Sequence, residues 1–321
     1  MNPLTSRQEP IFVSSDDLER QIERLKSTGE ALSGLFGPTS LTWRLARETA
    51  LFLGAGRALL LQLAHPWIAN AIAEHSSVHV DRIGRFHRTF GLTFTMTFGT
   101  CDQAIGAARR LHRRHAAING ILQQTIGPFT GGSVYRANEV AALRWVHASL
   151  LDTSVVVHDL VLPPLTVEER ERFYAENRLT AALFGIPRSS MPEHWSEFVA
   201  YKEAMVTSDV LIVSEAARAI AMQFVAPQGA GKRSSRWYRD LTAHLLPPRI
   251  REAFGLDYGH DERRRAERVV AWLQRVYPIL PQSLRFVGPY HEAVGRLAGR
   301  ATPDCATQWL NLMWIGRRQL G

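Results

Sequence analysis

The stretch Thr89 to His115, TFGLTFTMTFGTCDQAIGAARRLHRRH, decides the fold. With the residues just before it, it places Arg85, Arg88, Thr89, Leu92, Thr93 and Met96 at i, i+3, i+4, i+7, i+8 and i+11, the spacing of one helical face. That face opens cationic and turns apolar. Phe98-Gly99-Thr100 interrupts it, and Thr100, followed three residues later by Gln103, is a capping box that opens a second helix. The second helix carries His112 and His115 at i, i+3, on a shared face. A short Gly-containing turn between two helices predicts antiparallel pairing. The imidazoles and the Arg/Thr face would then approach one interior space.

On the amino-terminal side, residues 1–39 read as a tail followed by a helix from Asp16 to about Lys26. Ser40 caps a helix through Trp43 and Leu45 that Gly54-Ala55-Gly56 breaks. Ala58 to Ala64 is apolar apart from Gln62, the pattern of a helix buried on every side. His65-Pro66 ends it, and proline at a first turn starts another helix over Trp67 to Glu74. Asp81 caps the helix of Arg85.

On the carboxyl-terminal side, a glycine-bearing loop (Gly127 to Gly132) precedes a long helix from Glu139 to about Leu160, capped by Asn138, with His147 on its apolar face. Thr166 and Glu169 form another capping box. Further helices are predicted at about 192–207, 210–225, 235–246 and 262–277, with 226–235 a flexible loop. Alternation of period two never persists, so the fold class is all-α. The expected organisation is one domain over 40–300 with a C-terminal tail over 301–321.

Composition narrows the partners. At 45% hydrophobic and 21% charged residues the chain can bury a sizeable core. A net charge of +8 suits nucleic acid, an anionic membrane surface or an anionic cofactor. Runs such as Arg109 to His115 and Arg263 to Arg265 are most simply solvated helix faces. They lack the aromatic interleaving of single-strand binders, and no helix-turn-helix is visible, so nucleic acid is not expected. Cys101 and Cys305 offer neither a disulfide framework nor a cysteine metal site. The polar first residues contain no signal core, which predicts a cytoplasmic protein. Apolar runs at 58–64 and 91–99 fall short of the roughly 20 residues of a spanning helix. Peripheral membrane contact stays open.

Seven of the twelve histidines lie between His65 and His147. Imidazole is the commonest metal ligand, so the clustering points to a metal or haem centre, although each lone histidine is more often structural. His112 and His115 stand out through their spacing and their arginine flanks, because guanidinium groups can pair with the carboxylates of a haem. His-Glu-x-x-His, Walker and Gly-x-Ser-x-Gly motifs are all missing.

Six segments then occur in one order: GRALLLQLAHP (56–66), AEHS (73–76), GRFHRT (84–89), TFGT (97–100), LHRRH (111–115) and WVHASLLD (145–152). They resemble the catalytic domain of the MpaB and latex-clearing-protein (rubber oxygenase) family over about Leu41 to Phe198. The resemblance implies a globin-like helical core holding a b-type haem, and oxidative cleavage of a double bond in an isoprenoid chain. It implies His115 as the iron ligand, with His112, Arg113 and His147 in the cofactor-binding set. The family's distal Arg-x-x-Lys-Thr is similar to Arg85, Arg88 and Thr89, with arginine in place of lysine at 88. Glu74 is the nearest counterpart of its catalytic glutamate, at a different spacing from Arg85.

Three readings follow. The first is a haem-dependent oxygenase using dioxygen on a small hydrophobic substrate held by Leu92, Met96, Leu60 and Val146; without an export signal, polymeric rubber is not the expected substrate. The second is a non-haem metal enzyme using His112, His115, His147 and Asp152 or Glu74. The third is a non-catalytic helical binding or regulatory protein on the same scaffold.

Overall fold

Several helices begin where the sequence supplies a cap. Ser14 and Asp17 form a capping box at the start of α1 (Ser15–Lys26), and Ser40 accepts from the Trp43 amide to start α2 (Leu41–Ala46). The computed structural model describes residues 10–27, 29–75, 81–225 and 232–321. A 3-10 segment over Thr49–Gly54 leads into α3 (Ala55–Leu63), and α4 (Pro66–His75) begins at the proline. Asp81 accepts from the Gly84 amide at the head of α5 (Arg82–Phe98), and the Thr100/Gln103 box opens α6 (Cys101–Ala116). The tract 226–235 and His79 fall wholly or partly outside the described residues; α11 already begins at Lys232.

A two-stranded antiparallel hairpin follows, β1 (Asn119–Ile121) with β2 (Val134–Arg136), pairing Gly120 opposite Tyr135. Strands of three residues carry too little alternation to be predicted. The next helix, α7 (Val140–Val161), is capped by Glu139 and not by Asn138. The Glu139 carboxylate accepts from the Ala141 and Ala142 amides, while the Asn138 amide donates to the Val13 carbonyl and fixes the amino-terminal segment.

The remaining elements are α8 (Val167–Leu183), α9 (Trp195–Thr207), α10 (Glu215–Val225), α11 (Lys232–Leu245), α12 (Pro248–Ala253), α13 (His260–Val276), α14 (Gln282–Arg285), α15 (Gly288–Leu297) and α16 (Cys305–Ile315). The fold is all-α apart from the hairpin, with additional C-terminal helices. Helix α10 starts at Glu215 and not at Val210; the Leu211 carbonyl is taken by the Arg249 guanidinium at 3.1 Å, which removes an acceptor that a helix there would use. The expected tail over 301–321 is also corrected. Its helix α16 packs on α5 and α15, and Ile315 and Leu320 join Trp43, Phe94 and Phe98 in one aromatic-rich cluster.

Helix α7 is the central strut. Trp145 is fully buried in the largest apolar cluster, and its indole N–H donates to the Leu61 carbonyl of α3 at 2.8 Å. A Cβ at Gly54 would stand 2.4 Å from the Thr153 methyl, so the chain entering α3 reaches α7 because that residue is glycine. By length and composition α7 is apolar enough to cross a membrane, in contrast to the shorter runs at 58–64 and 91–99, and 67% of its most apolar window is buried in the fold. A second cluster joins α1, α5, α6 and α8 through Leu25, Met96, Ala104, Ala108 and Leu183. Burial of Leu25, Met96 and Leu183 contributes roughly 1.5–3 kcal/mol each. That contribution holds α5 against α6.

Candidate functional site

Helices α5 and α6 fold back on one another about Gly99 and Thr100, and the first turn of α5 meets the last turn of α6. Arg85 is half-buried there, and its pKa is lowered by burial first and then by the neighbouring Arg114 and Arg88 guanidiniums. His115, also half-buried, is pushed down to about 4, by burial foremost and then by Arg114 and His112. It is therefore a neutral imidazole at ordinary pH. No other described residue hydrogen-bonds to its ring.

The rest of the cationic face divides. Arg88 and Thr89 are exposed, and Arg88 pairs with Asp81 at 3.0 Å. Arg113 and Arg114 are both exposed as well, and it is the charge of Arg114, not singled out from sequence, that reaches both Arg85 and His115. His112 is buried, and its Nε2 lies 3.4 Å from the Ser15 hydroxyl of α1. Residues three apart on a helix differ by about 60° in direction. His112 thus turns to α1 while His115 stays in the field of Arg114.

Glu74 enters through the hairpin. It ends α4, and its Oε2 accepts from the Tyr135 hydroxyl at 2.5 Å. The neighbouring His75 Nε2 lies 2.9 Å from the Asn119 carbonyl. Tyr135 is fully buried, and its pKa is raised by burial first and then by Glu74. Gly120 makes this meeting possible, since a Cβ there would lie 2.4 Å from the Tyr135 hydroxyl and 2.7 Å from Glu74 Oε2. Strand β1 leaves α6 directly after His115, and the Ile118 amide donates back to the His115 carbonyl. One end of the bundle therefore gathers the C-termini of α4 and α6 with the N-terminus of α5.

Other candidates are placed elsewhere. His147 is buried on α7, with Nε2 donating to the Asn177 carbonyl at 3.0 Å and its ring edge-on to Phe184. Its Nδ1 has no partner, and burial pushes its pKa down to about 4. His65 was passed over among the lone histidines, yet it too is buried with Nδ1 unpartnered, is pushed down to about 4 by burial, and packs on Phe129. Leu60 belongs to the Trp145 core, whereas Leu92 and Met96 belong to the α5/α6 cluster, so these residues do not share one lining. Asp152 is paired with Arg57 and with Lys202 at 3.3 Å, and Arg57 also donates to Thr153. Among the described residues no three His, Cys, Asp or Glu side chains converge as a metal-binding group.

A model of the ER-bound oxygenase mpaB/B'/rubber oxygenase catalytic domain matches residues 43–275. The chain belongs to this family. The mpaB/rubber oxygenase match runs well beyond Phe198, takes in Glu74, Arg85, His115 and His147, and stops before α14. The domain is thus of the oxygenase type. No curated protein and no solved structure matches the chain.

Proposed function

We propose that the chain is a haem b-dependent oxygenase that uses dioxygen on an alkene of a small hydrophobic, isoprenoid-like substrate. The observation that carries this is His115, a neutral imidazole with no hydrogen-bond partner among the described residues, in the field of the Arg114 guanidinium. A porphyrin supplies the equatorial donors of its iron, so it asks the protein for few ligands. A non-haem centre asks for several, and no such group converges among the described residues. The haem carboxylates would also offset the charge of Arg114, with Arg113 at the rim.

When bound, haem supplies the redox chemistry that activates dioxygen. The chain supplies the surroundings. His115 would hold the group, and Arg85 would place positive charge beside the space that takes substrate and dioxygen. Partly buried Leu92 would present apolar surface to the alkene, with exposed Arg88 and Thr89 on the same helix. Glu74 accepts a proton from the allylic carbon, and Tyr135 holds the carboxylate in place beforehand. The test is anaerobic titration of purified protein with haemin, then reduction and admission of oxygen with a short isoprenoid alkene. One equivalent of bound haem and alkene-dependent oxygen uptake are expected. No haem uptake, or stoichiometric non-porphyrin metal in its place, would contradict the reading.

A further inference from the structure

We infer that the groove between α1 and α8 binds a single-chain anionic amphiphile, its tail along Leu25, Leu179, Ile186 and Met191 and its acid head among Arg24, Arg178 and Arg188. The groove is separate from the proposed haem site, and its occupation does not depend on that site's chemistry.

The cavity holds about 270 Å³. Small-molecule sites typically run from about 300 to 1,000 Å³, so this one suits a single flexible chain better than a ring system. Its wall is apolar and shared with the core. Leu25 and Leu179 belong to the cluster that contains Met96 and Leu111, so the floor of the groove is the outer side of the packing between α5 and α6.

The rim carries the second half of the signal. Arg24 and Arg188 are exposed and Arg178 is half-buried, giving one N–H to the Glu193 carbonyl at 2.9 Å. No carboxylate of the described residues lies within ion-pair distance of any of the three. Arginines elsewhere on the same helices differ: Arg20 pairs with Asp17, Arg170 with Asp159 and Arg172 with Glu176. Three guanidiniums line one groove with no carboxylate at ion-pair distance, so an arriving anion would meet donors that no charge of the described residues already engages. A carboxylate or phosphate accepts from guanidinium N–H groups in charge-assisted bonds. A neutral hydrocarbon would leave the cations unmatched, and an inorganic anion would leave the apolar wall wet. Only a molecule with both parts satisfies the groove.

The test is calorimetric titration of the full chain with laurate, dodecyl phosphate, dodecanol and inorganic phosphate, each kept monomeric. One of the two anionic amphiphiles is expected to bind one to one, and at least about tenfold more tightly than dodecanol. Preference for laurate assigns a fatty-acid-like head and preference for dodecyl phosphate a phospholipid-like one. The pair Arg178→Gln and Arg188→Gln should weaken binding at least about tenfold, Leu179→Trp should fill the groove and abolish it, and Arg20→Gln should leave it unchanged. Equal affinity for laurate and dodecanol, or full affinity in the Arg178/Arg188 variant, overturns the proposal, as does absence of binding by both anionic amphiphiles.

Discussion

Tyr135 donates its hydroxyl hydrogen to Glu74 Oε2 at 2.5 Å, which ties the hairpin after α6 to the end of α4. The bond holds the carboxylate with one oxygen engaged and the other open to act as a base. Glu74→Gln keeps an oxygen acceptor for Tyr135 but cannot take a proton. Its turnover on an isoprenoid alkene should fall by about 100-fold or more, with haem absorbance unchanged. Tyr135→Phe should cost about 1 kcal/mol in thermal unfolding through the lost hydrogen bond. Wild-type turnover in Glu74→Gln would remove Glu74 from the mechanism.

The sequence disclosed the helices through their caps: Ser40, Asp81, Thr100 with Gln103, and Thr166 with Glu169 each sit where the structure starts a helix. Local chemistry sets those positions, so local reading finds them. The meeting of Glu74 with Tyr135 was not legible, because it joins residues 61 apart through a hairpin too short to show alternation. Helical periodicity put Arg85 and Arg88 on one face, but it could not tell that Arg85 turns inward while Arg88 pairs with Asp81 in solvent. The C-terminal helix α16 was missed because its apolar residues surround it on more than one side. Trp309, Leu312 and Met313 are exposed while Ile315 is buried.

Arg85 and Arg88 should therefore behave differently. Arg85→Leu removes the half-buried charge beside Arg114 and should lower turnover by about 100-fold, the scale of losing one electrostatic donor. Arg88→Leu breaks a solvent-exposed pair and should leave the melting curve essentially unchanged. Steady-state oxygen uptake and a melting curve on each variant check both. Equal loss of turnover in the two would contradict the inward placement of Arg85.

Acid should destabilise the fold. His65 and His147 are buried, and both are pushed down to about 4 from an ordinary value of 6.5. Between those values the unfolded chain binds protons that the folded chain refuses, so stability is full above pH 6.5 and is lost progressively toward pH 4. Each histidine contributes up to roughly 3 kcal/mol to that loss. Denaturant unfolding from pH 7 to pH 4.5 should show the decline, and His147→Gln should flatten it. A stability independent of pH across this range would refute the account of these histidines.

Asp152 is assigned a structural role. Its carboxylate is 6% exposed and faces Arg57 and Lys202. Asp152→Asn leaves Arg57 buried without its counter-charge and should cost about 3–5 kcal/mol, whereas replacing both with apolar residues should cost less. A double variant as unstable as the single one in urea unfolding would contradict this.

The central claim is that His115 anchors a haem. Haemin titration of three proteins, the wild type, His115→Ala and His112→Gln, followed by absorbance near the Soret band, tests it most directly. The account predicts one equivalent bound by the wild type and by His112→Gln, with the band weakened and the affinity lowered at least about tenfold in His115→Ala. An identical spectrum and affinity in His115→Ala would contradict it.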